Sequence, residues 1–195
     1  MILIDNYDSF TYNIVQYLRI LGVDPQIFEN DKITIQQLHK LEFDKIIISP
    51  GAGNPDDAGI SLSVISEFYQ SKSILGICLG HQCIGQFFGA HVVQSEPMHG
   101  KTSNIYFDDR CPLFQGMPQG LEVCRYHSLV VENISGDLVS TAWTKEGINM
   151  ALMHTQYPIF GVQFHPEAIL TQYGMQLMEN FSKIITFHMT WIRQM

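Results

Sequence analysis

With 195 residues, 46% of them hydrophobic, the chain is long enough for one compact α/β domain with a sizeable core, spanning 1–195 with no visible linker. A net charge of −8, a pI of about 5.3 and eleven scattered basic residues argue against nucleic acid or an anionic membrane as partner, because both require a positive face. Cys78, Cys83, Cys111 and Cys124 form no C-x-x-C pair, which removes zinc-knuckle and thioredoxin-like sites and fits free thiols in a reducing cytosol.

In chain order, strand-length apolar bursts alternate with helix-period segments. Met1-Ile-Leu-Ile-Asp5 lacks the basic region and long apolar stretch of a signal peptide, and Ile2-Leu3-Ile4 reads as a buried strand. Phe10, Ile14, Tyr17, Leu18 and Leu21 then fall on one helix face, with Gly22 suited to its C-terminal cap. Ile27-Phe28 is a second strand, Ile35 to Leu41 a short helix, and Lys45 to Ile48 a third strand cut by Ser49-Pro-Gly-Ala-Gly-Asn-Pro55. A helix is expected over about Ala58 to Tyr69, a fourth strand over Ser73 to Ile77, and a helix over Gln82 to Phe88. This β-α-β-α order predicts a mostly parallel open sheet with helices on both faces. From Val92 to Phe164 strands follow one another closely, around Ile105, Val123, Val139, Met150 and Val162, which predicts a mixed or antiparallel second half. A last helix covers roughly Gln172 to Phe187, and the aromatic stretch Phe187 to Trp191 reads as the end of a packed helix. No run approaches the ~20 apolar residues of a membrane span, so a cytoplasmic location is expected.

The most informative segment is Gly76-Ile77-Cys78-Leu79-Gly80-His81-Gln82, a G-x-C-x-G between a strand and a helix. It is the cysteine counterpart of the serine nucleophile elbow. Small neighbours permit the sharp turn, and the following helix N-terminus favours a thiolate. Read alone, the same residues also fit a buried cysteine between two tight-turn glycines. In Gly161-Val-Gln-Phe-His165-Pro166-Glu167 a strand-like run ends in His-Pro-Glu. Proline favours an extended residue before it, and residues two apart then point the same way. His165 can therefore serve the thiol while Glu167 orients the imidazole; the alternative is a strand-end histidine with a solvated neighbour. The loop Ser49 to Pro55 can aim backbone N–H groups at developing negative charge, with Gly53 and Leu79 as the donors. Most Gly/Pro loops are ordinary turns, and no G-K-[ST] or G-x-G-x-x-G supports nucleotide binding. All three segments follow strands, where open α/β sheets bind ligands.

At these residues the sequence resembles the class I (triad) glutamine amidotransferases. Ile4-Asp-Asn-Tyr-Asp-Ser-Phe-Thr-Tyr-Asn13, Met98-His-Gly-Lys101 and Arg125-Tyr-His-Ser-Leu-Val130 narrow the likeness to the glutaminase subunits, component II, of anthranilate and aminodeoxychorismate synthases. The resemblance covers nearly the whole chain and implies a flavodoxin-like α/β domain. By that resemblance Cys78 is the nucleophile, His165 the base and Glu167 its orienter. Gly51, Ala52 and Gly53 line the L-glutamine site, and Gln82, Ser128 and Leu129 hold the substrate's amino-acid end. Neither metal nor organic cofactor is implied, and the ammonia passes to a separate chorismate-using synthase subunit, component I. Gly59-Ile-Ser-Leu62 and Val130-Val-Glu132 lean toward the aminodeoxychorismate or dual-use branch.

Two positions depart from the family's pattern. Ala52 stands where proline is usual, which loosens the oxyanion loop, and Ala168 stands where serine is usual, which removes a hydrogen bond supporting the triad. His81 is a rival base, expected to point away and satisfy a local hydrogen bond. His127 and Ser128 lack the small-residue elbow of a serine triad, and Cys83, Cys111 and Cys124 are expected to be structural thiols. Met98 to Lys101 is the candidate contact loop for the synthase. The competing functions are a triad hydrolase acting on peptides or γ-glutamyl compounds, and a silent scaffold subunit.

Overall fold

The computed structural model describes residues 1–185. Its main sheet has nine strands in the order β2-β1-β3-β4-β11-β10-β9-β6-β7. β1 (Ile2–Asn6), β2 (Gln26–Glu29), β3 (Lys45–Gly51), β4 (Ser73–Ile77) and β11 (Ile159–Val162) run parallel. β10 (Asn149–His154), β9 (Leu138–Thr144), β6 (Lys101–Phe107) and β7 (Leu121–Arg125) continue it antiparallel. This is the expected open sheet with an antiparallel second half.

The parallel strands are apolar at successive positions because both of their faces are covered. Side chains alternate across a strand, so each strand feeds two cores. Leu3, Ile47 and Leu75 pack with Ile14 and Leu18 of α1 (Thr11–Ile20) and with Leu177, Met178 and Phe181 of α5 (Gly174–Lys183). Ile2, Ile4, Ile46, Ile48 and Ile74 pack on the other face. There they meet Leu38 of α2 (Ile35–Leu38), Val64 and Ile65 of α3 (Ser61–Phe68) and Ile84 of α4 (Leu79–Phe87). α1 ends in a Schellman arrangement: Gly22 has φ +80°, its N–H donates to Arg19 O, and the Val23 N–H donates to Leu18 O.

Several boundaries differ from those read in the sequence. Phe10 does not join the core face of α1; it caps the helix and packs its ring against Tyr126 and His165. β3 continues through Ser49 and Pro50 to Gly51, where it pairs with Asn6 of β1. α4 starts at Leu79, three residues before the expected Gln82, and α5 starts at Gly174 rather than Gln172. The reach of that last helix to Phe187 and the aromatic stretch Phe187 to Trp191 lie outside the described residues. Two strands were not anticipated: β5 (His91–Gln94) and β8 (Leu129–Glu132) form a separate antiparallel pair. Among the described residues, no helix is long and apolar enough to cross a membrane.

Candidate active site

The carboxyl ends of β1, β3, β4 and β11 are neighbours, in register through Ile4↔Ile48, Ile48↔Gly76 and Gly76↔Gly161. Asn6 and Gly51 end β1 and β3, Cys78 directly follows β4, and His165 lies just past β11.

Cys78 forms the turn from β4 into α4, with φ 52° and ψ −99°. A non-glycine residue rarely holds such angles, at a cost of about 1–3 kcal/mol. Close packing keeps it there. A Cβ on Gly76 would stand 2.3 Å from the Gly80 carbonyl, and a Cβ on Gly80 would stand 2.3 Å from Ile48 O. Only glycine lets α4 ride directly on β3 and β4. The Cys78 N–H donates to Val162 O at 2.8 Å, which ties the turn to β11.

His165 follows β11, and its N–H donates to Cys124 O at 3.0 Å. Its Nδ1 lies 2.7 Å from Glu167 Oε1, and the side chains are 2% and 0% exposed. Nε2 has no partner at full hydrogen-bond geometry and is the nitrogen left for Cys78. Burial works against the imidazolium, but the Cys78 sulfur and the Glu167 carboxylate outweigh it and push His165 up to about 10. The rings of Phe10 and Tyr126 flank the imidazole at centroid distances of 5.6 and 5.3 Å. Thr171 fixes the backbone beneath: its Oγ1 donates to His165 O at 2.6 Å and accepts from the Cys124 N–H at 2.9 Å. A lone threonine carries no signal in the sequence, and its part was missed. Glu167 Oε2 is buried with no hydrogen-bond partner.

A cavity of about 140 Å3 opens beside Cys78 and gathers Gly51, Ala52, Gly53, Gln82, Ser128 and Leu129, with Tyr126 and His127 completing its wall. Leu79 is buried beneath the loop, its Cδ2 2.8 Å from where a Gly51 Cβ would stand. His165 and Glu167 are buried as well and are not part of the cavity's lining.

The small residues Gly51 to Gly53 are anchored on both sides, which counters the looseness expected from Ala52. Upstream, the Asn6 N–H donates to Ser49 Oγ at 2.8 Å and Asn6 Nδ2 donates to Ser49 O at 2.9 Å. Asn30 and Ser61 both donate to Asn6 Oδ1. Downstream, Asn54 Oδ1 accepts from the Asp56 N–H, and the Asn54 N–H donates to Asp57 Oδ2.

Sequence comparison decides the family: residues 2–185 match glutamine amidotransferase class-I. The chain belongs to that family. It is 50% identical over 184 residues to the aminodeoxychorismate/anthranilate synthase component 2 of Bacillus subtilis (strain 168), covering 93% of this chain and 94% of that one. It is 49% identical over 185 residues to the anthranilate synthase component 2 of Pyropia yezoensis, covering 93% and 97%. The crystal structure of a putative GMP synthase protein from Thermoplasma acidophilum superposes with a TM-score of 0.81 at 31% identity, covering 93% and 92%.

Within this amidotransferase the rival groups are now placed. His81 is fully buried with its ring against Gly161, where a weak contact to the Gly161 backbone is the local bond expected for it. Burial pushes it down to about 3, and it stays neutral. Both ring nitrogens of His127 are engaged, with Arg125 Nε and Leu129 O, leaving none to activate Ser128. Burial pushes the Cys83 thiol up to about 12 and the Cys111 thiol up to about 11, as inert buried thiols require. The Met98 to Lys101 segment adjoins the site in space: the Met98 N–H donates to His127 O and the Gly100 N–H to Arg125 O.

Proposed function

We propose that the chain hydrolyses L-glutamine to glutamate and ammonia at Cys78, with His165 as base and Glu167 as its orienter. The observation that carries this reading is the buried His165–Glu167 pair, raised in basicity, next to a strained cysteine at the mouth of a small cavity. The cavity's size suits a single amino acid. Gly51, Ala52 and Gly53 form its loop side, and Gln82, Ser128 and Leu129 hold the substrate's amino-acid end.

The Cys78 thiolate adds to the side-chain amide carbon of glutamine, and the carbonyl oxygen becomes an oxyanion facing the Gly53 and Leu79 N–H groups. The C–N bond breaks as the imidazolium of His165 gives its proton to the leaving nitrogen, releasing ammonia and a glutamyl thioester. Neutral His165 then takes a proton from water as its oxygen attacks the thioester carbon. The C–S bond breaks, glutamate leaves and the thiolate is restored. No step calls on a metal or organic cofactor.

Names borne by the relatives support the destination of the ammonia: a chorismate-binding synthase subunit, component I, in a heteromeric complex, with the dual aminodeoxychorismate/anthranilate use of the B. subtilis relative as the favoured branch. Residues 1–195 act in this reading as a single amidotransferase domain in the cytoplasm, where its free buried cysteines stay reduced.

The test is glutamine turnover, set beside a panel of γ-glutamyl peptides. Cys78→Ser should abolish turnover, because a hydroxyl is a far weaker nucleophile than a thiolate. Cys83→Ser should leave it within about twofold. Equal losses from both substitutions, or a preference for the peptides, would refute the assignment.

A further inference from the structure

A chain of buried side chains leads from β7 to the sulfur of Cys78, and its hydrogen-bond directions are set by groups that cannot reverse. It starts at Arg125, 1% exposed, whose guanidinium only donates. Arg125 Nη1 donates to Ser103 Oγ at 3.0 Å and Nε donates to His127 Nε2 at 3.0 Å. His127 Nε2 therefore accepts, and the ring proton sits on Nδ1, 3.0 Å from Leu129 O. The same carbonyl faces the Gln82 amide at 3.2 Å. A carbonyl only accepts, so the Gln82 atom facing it is the nitrogen, which also donates to Gln163 Oε1 at 3.3 Å. With its oxygen committed there, Gln163 turns its own amide nitrogen to Cys78 Sγ, at 3.7 Å. That is within the longer reach of a sulfur acceptor, and Gln163 is wholly buried.

We propose that Gln163 stabilises the Cys78 thiolate as a fixed, uncharged hydrogen-bond donor, its orientation dictated by Gln82 and the Leu129 carbonyl. A donor aimed at a charged form favours that form, and it does so more strongly in a site shielded from water. The role differs from that of His165. Histidine must change protonation during turnover, whereas an amide cannot, so Gln163 supports the sulfur's charge before attack and again after the thioester is cleaved. It also gives Gln82 an inward function: its amide nitrogen is spent on Leu129 O and Gln163, which leaves Oε1 as the atom free for substrate.

The titratable and charged groups around the sulfur come from three elements. His165 and Glu167 follow β11, Arg125, Tyr126 and His127 lie at the end of β7, and His81 is in α4; Tyr126 is raised above its ordinary value and stays neutral near pH 7. Burial pushes His127 down to about 4 and His81 down to about 3, so neither changes charge near neutral pH. A shift in the thiol's titration on changing Gln163 therefore reports the amide and His165.

The inference rests on Cys78 as the nucleophile, but its test reads the thiol itself. Alkylation of Cys78 by iodoacetamide is followed against pH by mass spectrometry of the Cys78 peptide, in wild type, Gln163→Met and Gln163→Glu. Methionine keeps the length and removes the donor; glutamate puts a carboxylate oxygen in the donor's place. The midpoint should rise by about one pH unit in Gln163→Met, making alkylation about tenfold slower at pH values well below both midpoints, and further in Gln163→Glu. Glutaminase kcat should fall with KM little changed. An unchanged midpoint in folded Gln163→Met, judged by circular dichroism and thermal melting, overturns the proposal. Should the Gln163 variants fail to fold, Gln82→Met removes the group that orients Gln163, and there too an unchanged midpoint overturns it. If the midpoints shift but wild type does not turn over glutamine, the proposed function fails and the role of Gln163 stands.

Discussion

At His165 two influences oppose each other. Burial favours the neutral ring, while the Cys78 sulfur and Glu167 favour the cation and prevail, raising the group to about 10. Because the folded-state value lies above the ordinary 6.5, the imidazolium adds to stability below about 6.5, and that contribution is lost as pH rises through about 10. At neutral pH the ring is thus charged, the form that the proposed mechanism needs to protonate the leaving nitrogen. Ring-nitrogen NMR should find the His165 midpoint well above 6.5 in wild type and lower in both Cys78→Ala and Glu167→Gln. A midpoint at the ordinary value in wild type would contradict the raised basicity of His165. The sequence exposed His165 and Glu167 because proline sets their spacing within one extended segment. It did not expose Thr171, Asn6 or Gln163, whose work is to hold or face groups distant in the chain.

α4 is the element on which the site depends. The G-x-C-x-G pattern announced a turn, but its start at Leu79 and the positive φ of Cys78 follow from how tightly the helix lies on β3 and β4. Two glycine substitutions separate contact from conformation. Gly80→Ala drives a methyl group into Ile48 O and should destabilise by about 1–3 kcal/mol. It should also lower glutamine turnover by ~100-fold, since displacing the nucleophile by about 1 Å has that effect. At Gly22 nothing lies within 4 Å of an added Cβ, and only the positive φ is strained. Gly22→Ala should cost about 1 kcal/mol and leave the rate unaltered. Urea denaturation together with initial rates checks both, and a Gly80→Ala protein of full activity would show that the helix can move without taking Cys78 with it. β5 and β8 went unread for a related reason: each is four residues long, and each becomes a strand by pairing with residues 35 to 41 positions away.

On the scale of the whole molecule, the proposed role is to deliver ammonia to the synthase. With Cys78→Ser in place, the complex should therefore lose glutamine-dependent product formation and regain it with added ammonium salt, measured as chorismate-derived product. A complex that stays inactive at high ammonium while the synthase is otherwise intact would refute that division of labour. The Met98 to Lys101 segment reads as a contact loop because it is non-helical and far from the triad in sequence; in the fold its backbone bonds to Arg125 and His127, next to the Tyr126 to Leu129 wall of the cavity. The sequence by itself determined the parallel α/β half, the nucleophile turn and the His-Pro-Glu pair, since each depends on short-range periodicity, on glycine or on proline acting over a few residues. Tertiary structure alone decided which strand ends become neighbours, the anchoring of Gly51 to Gly53 through Asn6, and the direction of the hydrogen-bond chain from Arg125 to Cys78. Those features depend on groups as much as 85 residues apart meeting out of water, where each donor must find an acceptor, and no local pattern records such a meeting.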